Sequence, residues 1–312
     1  MATSTTTVSP PATATDTASP DRKRRTLNPG KHYPSWFYIP GGVIFIGIFL
    51  VPTFASLYFS LTRWTIFKSQ FIGFDNFVQF FQDPQLVKGF VNTFIYAFLT
   101  SGAKVVLGLG LGMLLTSRII ARGYLRSVIF FPVLVSVIGV GITFAALMNP
   151  EIGVINHVLG WFGIDGPGWL TNPSLALYSI ALVDIWSGVG LASVIYMAGI
   201  VSIPREYYEA ARVDGAGPWQ VFRSIILPLS WPATSTVIIL SLIGGLRKFD
   251  LIWAMTRGGP GFSSDVIASV IYKEYQAGFY GLSTAGNVIL FVVVLAIVFP
   301  LNRLLVRREV EL

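Results

Sequence analysis

The chain has 312 residues, of which 53% are hydrophobic and 12% charged, with a mean hydropathy of +0.67. Composition this apolar excludes a soluble globular class. The formal charge of +7 does not point to nucleic acid, because Lys and Arg concentrate in short segments beside apolar runs, the pattern that sets membrane topology. With no cysteine, disulfides, thiol nucleophiles and cysteine metal sites are excluded.

In chain order, residues 1–35 read as a disordered cytoplasmic tail rich in Thr, Ser, Ala and Pro, without the apolar core of a signal peptide. Its basic collar (Arg22, Lys23, Arg24, Arg25, Lys31) is expected to set orientation, the alternative being contact with anionic lipid. Six apolar runs follow at Tyr38–Leu61, Phe90–Thr116, Tyr124–Met148, Leu175–Val201, Leu229–Met255 and Ser283–Leu305. Each is long enough for a bilayer core that needs about 20 residues. The expected fold is an all-α integral membrane protein with one six-span domain over 36–305 and a short cytoplasmic tail at 306–312. The tail, the two even-numbered connections and the C-terminus hold fourteen Lys and Arg, against five in the alternate connections. That bias places both termini and the 202–227 loop in the cytoplasm.

Within the spans, Gly108 and Gly112 form a G-x-x-x-G pair that lets a neighbouring helix approach closely. The pairs Gly139/Gly141, Gly188/Gly190 and Gly244/Gly245 permit bending or close crossing. Pro132 and Pro232 are expected to kink their spans.

Between the fourth and fifth runs lies Ile203-Pro204-Arg205-Glu206-Tyr207-Tyr208-Glu209-Ala210-Ala211-Arg212-Val213-Asp214-Gly215-Ala216. Pro204 suits a first helical turn, Arg205 and Glu209 share a face, and Ala210 and Ala211 are strong helix formers. Asp214, Gly215, Gly217 and Pro218 stop the helix after about three turns. A second helical run, Trp219 to Leu227, leads to the next span. After the fifth run, Thr256 to Ser264 is dense in Gly and Pro, which demands a fixed turn.

The order Glu209, Ala210, Ala211, Asp214, Gly215, Ala216, then Phe222, Ile225, Leu227 and Pro228 resembles the EAA loop of binding-protein-dependent ATP-binding-cassette importers. That resemblance implies the type I ABC importer permease fold in a bacterial cytoplasmic membrane, multi-pass. It also implies that Arg205, Glu206, Tyr208, Glu209, Ala210, Ala211, Asp214 and Gly215 couple to a cytoplasmic ATPase. The Gly258-Gly259-Pro260 turn, with Phe249 to Ile252 before it and Tyr272, Ala277 and Phe279 after, is similar to the outer loop of sugar-importer permeases that faces a binding protein. More narrowly, it is similar to the first of the two permeases, the type found in maltose and glycerol-phosphate importers. Implied partners are a second homologous permease subunit, two ATPase subunits, an extracytoplasmic solute-binding protein and a carbohydrate solute. No G-x-x-x-x-G-K-[ST] occurs, so ATP and Mg are expected on the partner ATPase, with no cofactor and no enzyme activity on this chain.

Ionisable residues at membrane depth tend to face a pathway or a partner. Asp184, Trp186 and Ser187 lie in the fourth span, Arg247, Lys248, Phe249 and Asp250 in the fifth, Asn287 in the sixth and Lys104 in the second. Sugars are held by aromatic rings and by charged or amide groups on their hydroxyls, a mixture that Asp184, Trp186, Ser187, Arg247, Phe249 and Asp250 offer. Equally, Asp184 can form a structural pair with Arg247 or Lys104. A self-sufficient carrier has no use for the capped Glu209 helix, and an intramembrane enzyme lacks His or Cys in its spans. By analogy the solute is a di- or oligosaccharide. The rival is glycerol phosphate or another phosphorylated solute, which Arg247 and Lys248 would suit.

Overall fold

The computed structural model describes residues 35–65, 67–117 and 119–307. The expected terminal tails lie outside these residues except for Ser35, Val306 and Arg307. The chain divides into two compact units, Met1–Val51 and Pro52–Leu312. Helix α1, Trp36–Ser60, runs across the division and is apolar on every side, with none of its most hydrophobic window buried. An all-round apolar surface of this kind belongs in lipid or against another subunit.

The second unit begins with a two-stranded antiparallel hairpin, β1 (Thr62–Trp64) and β2 (Ser69–Phe71), Thr62 opposite Phe71. This hairpin is a small addition to the expected all-helical fold. Then come α2 (Asp75–Gln82), α3 (Pro84–Thr116), α4 (Arg122–Phe130), α5 (Val137–Leu147), α6 (Val154–Trp161) and α7 (Ala176–Val201). The series closes with α8 (Arg205–Val213), α9 (Pro218–Leu229), α10 (Trp231–Leu246), α11 (Asp250–Met255), α12 (Ile267–Gln276) and α13 (Tyr280–Val306). Helix α3 starts earlier than the apolar pattern suggests because Asp83 caps it. Its carboxylate accepts from the Gln85 and Leu86 amides at 2.7 and 3.4 Å, and Pro84 follows at a position where no N–H is needed.

Four helices, α1, α3, α7 and α13, are long and apolar enough to cross a bilayer unbroken. The third and fifth apolar runs are bent pairs. The segment Arg122–Leu134 meets α5 at 98°, and α9 meets α10 at 65°. Both prolines lie at these breaks, Pro132 in a 3-10 turn and Pro232 in the first turn of α10. The third run turns where Val135 becomes extended, with φ −85° and ψ 142°. The fifth is interrupted again, since α10 ends at Leu246 and helix resumes only at Asp250.

Close crossing, not bending, is what most of the span glycines provide. A Cβ on Gly108 would lie 2.7 Å from the Ala192 Cβ, and one on Gly112 would lie 2.7 Å from the Tyr196 Cβ. The G-x-x-x-G pair therefore seats α7 against α3 almost backbone to backbone. The interior beside that crossing is filled by Tyr96, Val140, Ile180, Val183, Leu251 and Ile252 from α3, α5, α7 and α11. Indole Nε1 of Trp231 donates to the Leu305 carbonyl at 3.0 Å, tying the start of α10 to the end of α13.

Candidate functional site

Helix α8 is short, exposed and sharply terminated. Its last turn ends in a Schellman motif: the Ala216 amide donates to the Ala211 carbonyl at 2.8 Å and the Gly215 amide to the Arg212 carbonyl at 3.1 Å. Gly215 adopts φ +71°, which glycine tolerates without a Cβ clash. Gln220 then accepts from the Gly217 amide at 2.8 Å, capping α9. Ala211 is buried and Tyr208 half-buried, three residues apart on the inward face. Burial pushes the Tyr208 hydroxyl above the ordinary tyrosine value. The other face offers Arg205, Glu206, Glu209, Ala210 and Arg212, together with Tyr207 and Val213, the last 88% exposed. Arg205 and Glu209 share that face without an ion pair between them. Of the alanine pair only Ala210 is available to a partner, because Ala211 packs against its own chain; Asp214 and Gly215 are exposed.

The membrane-depth residues resolve differently. Asp184, 2% exposed on α7, is held by two ammoniums, Lys104 Nζ at 2.6 Å and Lys248 Nζ at 2.5 Å. Lys104 is thus the partner expected as one alternative. Arg247 is not: it is exposed with no ion pair among the described residues, and Lys248 takes the place beside the carboxylate. The reason is local. With α10 ending at Leu246, the backbone at 247–249 leaves the helix, and Lys248 is the side chain that turns toward α7. Gly188 supplies the room, since a Cβ there would lie 2.7 Å from the Lys104 Cε. One turn on, the Ser187 hydroxyl donates to the Asp184 carbonyl at 3.2 Å. Trp186 is exposed, tilted against Phe144 at 5.1 Å between ring centroids.

Phe249 faces away from that cluster, stacked on Trp253 at 5.6 Å and edge-on to Tyr272 at 5.3 Å. With Tyr272, Tyr275, Ser283 and Asn287 it lines a shallow groove of about 260 Å³. Asp250 is exposed and makes no ion pair among the described residues. The expected cluster is therefore two places: an ionic one around Asp184 and an aromatic one that brings Phe249 and Asn287 together.

Sequence reasoning missed the brace beneath the Gly258–Pro260 turn. Asp265 is fully buried, its carboxylate paired with Lys273 Nζ at 2.6 Å and accepting from the Ser269 hydroxyl at 2.8 Å. Lys273 also lies 4.8 Å above the Phe262 ring. Asn92 Nδ2 on α3 donates to the Ser263 and Asp265 carbonyls at 2.9 and 2.8 Å, and the Thr93 hydroxyl accepts from the Ile267 amide at 2.8 Å. Gly258, at φ +86°, packs directly against the Asp265 carboxylate. It is therefore buried and cannot face a partner; the exposed positions of the loop are Arg257, Gly261 and Phe262, with Gly259 and Pro260 half-buried. No group of metal-ligating side chains occurs among the described residues.

Four unbroken apolar helices and two bent apolar pairs, with a short exposed helix between two of them, are the architecture of a multi-pass membrane protein. The family described as binding-protein-dependent transport system inner membrane component matches residues 104–310, and the chain belongs to it. It is 30% identical to the trehalose/maltose transport system permease protein MalF of Thermococcus litoralis, over 79% of this chain and 84% of the relative. It is 31% identical to the diacetylchitobiose uptake system permease protein NgcF of Streptomyces coelicolor, over 91% of this chain and 86% of the relative. Among solved structures it is similar to a bacterial alginate ABC transporter in complex with an alginate pentasaccharide-bound periplasmic protein. That match has a TM-score of 0.74 and 28% identity, covering 86% of this chain and 92% of the other. The type I importer permease fold and the transport role expected from the 203–228 pattern are accordingly those of its family.

Proposed function

We propose that this chain is the membrane-spanning permease subunit of an ATP-driven carbohydrate importer, forming half of the translocation pathway with a second, homologous permease. Two ATPase subunits carry ATP and Mg in the cytoplasm, and an extracytoplasmic binding protein delivers the sugar to the loop around Gly259 and Pro260. The charge bias of the connections supports cytoplasmic termini and a cytoplasmic α8. The named substrates of the relatives, trehalose and maltose, diacetylchitobiose and alginate, support a di- or oligosaccharide.

The observation that carries this reading is α8: a helix of 9 residues, fixed at its end by a Schellman turn, with charged and apolar side chains directed away from its own chain. Such a knob transmits motion only if it is rigid and seated in a groove. Closing of the ATPase subunits on ATP would move it, and the broken third and fifth spans supply places where the interior can switch between two arrangements. Exposed Glu209 is placed to pair with a basic group, and Ala210 keeps the contact face thin.

The test is to reconstitute the complete transporter with Glu209→Lys, and separately with Gly215→Val, and to record sugar uptake and ATP hydrolysis together. We expect the complex to assemble while hydrolysis proceeds without uptake. Normal uptake by both variants would remove α8 from the coupling role.

A further inference from the structure

Two ammoniums share one carboxylate in the interior of this protein, and the surplus charge opens onto a cavity. Lys104 and Lys248 both reach Asp184, so the three formal charges sum to one positive. Each ammonium has three N–H donors. One from each goes to Asp184, and no other acceptor meets either group among the described residues. Beside them lies a cavity of about 120 Å³, walled by Lys104, Lys248, Ser241, Gly188, Gly244 and Leu191 among others, with no carboxylate in its lining. Gly244 faces open space, so its wall is bare backbone that a ligand can approach closely.

An uncompensated charge at this depth is costly, and evenly matched pairs are the rule in spans. A site that keeps the surplus gains most when an anion enters. The cavity, about 120 Å³ and open on one side, has room beside the two ammoniums for an acidic substituent while the rest of a saccharide extends out of its mouth. Resting on the carbohydrate-import reading, we propose that Lys104 and Lys248 form an anion subsite selecting saccharides that carry a carboxylate or phosphate group. Asp184 is the positioning residue: it holds both ammoniums at the cavity wall and stands in for the ligand's acid when the site is empty. Ser241 offers a hydroxyl to the same group.

The experiment uses the complete transporter in lipid nanodiscs, without the binding protein, so that the permease itself is read. Equilibrium dialysis compares labelled digalacturonate, trehalose 6-phosphate and maltose. We expect one or both acidic ligands to bind about tenfold or more tightly than maltose at low salt, the margin shrinking as salt rises. Preference for digalacturonate alone assigns the carboxylate, preference for trehalose 6-phosphate alone the phosphate. Lys248→Met and Lys104→Met should each erase the margin, Lys248→Arg should keep it, and Asp184→Asn should widen it. The arginine variant separates a lost charge from a lost fold. Equal binding of acidic and neutral ligands, or a margin that survives loss of both lysines, overturns the anion subsite and leaves the importer reading intact. Binding of none of the three likewise overturns the anion subsite.

Discussion

Two buried carboxylates organise this protein, and they are built to opposite plans. Asp265 meets one ammonium and one hydroxyl, sits against Gly258, and has its main chain pinned by Asn92 from α3. Its charge is balanced by Lys273. Asp184 meets two ammoniums, carries a surplus charge with them, and borders a cavity. A balanced buried pair locks a loop in one geometry; an unbalanced one keeps capacity for a further partner. The same chemistry thus makes a brace in one place and a candidate binding site in the other.

The comparison is broken most severely at Asp265. Asp265→Ala strands Lys273 and removes the Ser269 contact, and we expect a loss on the order of 3 kcal/mol, read as lower thermal stability of the purified transporter. Adding Lys273→Met should restore part of that loss, since the half-buried ammonium is then no longer left unpaired. At the other cluster the effect on stability is smaller. Lys248→Met leaves Asp184 paired with Lys104, a neutral couple with no buried charge stranded, so the loss of stability should be smaller than that of Asp265→Ala. If Lys248→Met destabilises the transporter as strongly as Asp265→Ala, both clusters are braces and the contrast disappears.

The smallest effect sharpens the picture near the brace. Glu274, on α12 beside Lys273, is pushed above the usual carboxylate range by burial and then by the nearby Asp83 carboxylate. The folded state therefore keeps a proton at pH values where the unfolded chain has lost it. Stability falls as pH rises from the ordinary carboxylate range through that raised value. Glu274→Gln should flatten this slope and slightly stabilise the transporter at neutral pH, as measured by unfolding temperature across pH.

Much of this was legible in the residues. Gly108 and Gly112 announced a close helix crossing, though not its partner, and Gly215 announced the end of α8, because each depends on local geometry and spacing. The bends in the third and fifth spans were not legible in their size. Val135 and Ser136 leave the apolar run unbroken, and hydropathy carries no information about direction. Nor could the pattern choose between Arg247 and Lys248, since both are long cations and helix phase is lost at Leu246. Asp265 and Lys273 are eight apart with the helix beginning only between them, so no helical spacing flags them as a pair.

Composition, apolar run lengths and the Glu209–Gly215 pattern were enough to determine a multi-pass membrane chain of a binding-protein-dependent transport family, with a short capped helix between its fourth and fifth spans. Those features are local, and the bilayer imposes them on any chain that must satisfy its backbone in lipid. Only the folded molecule decided which ammoniums face Asp184, which loop residues are buried under Asp265, and where the cavity opens. These depend on helix crossings and breaks that join residues as far apart as Lys104 and Lys248, and contacts between distant segments follow from packing, which no single stretch encodes.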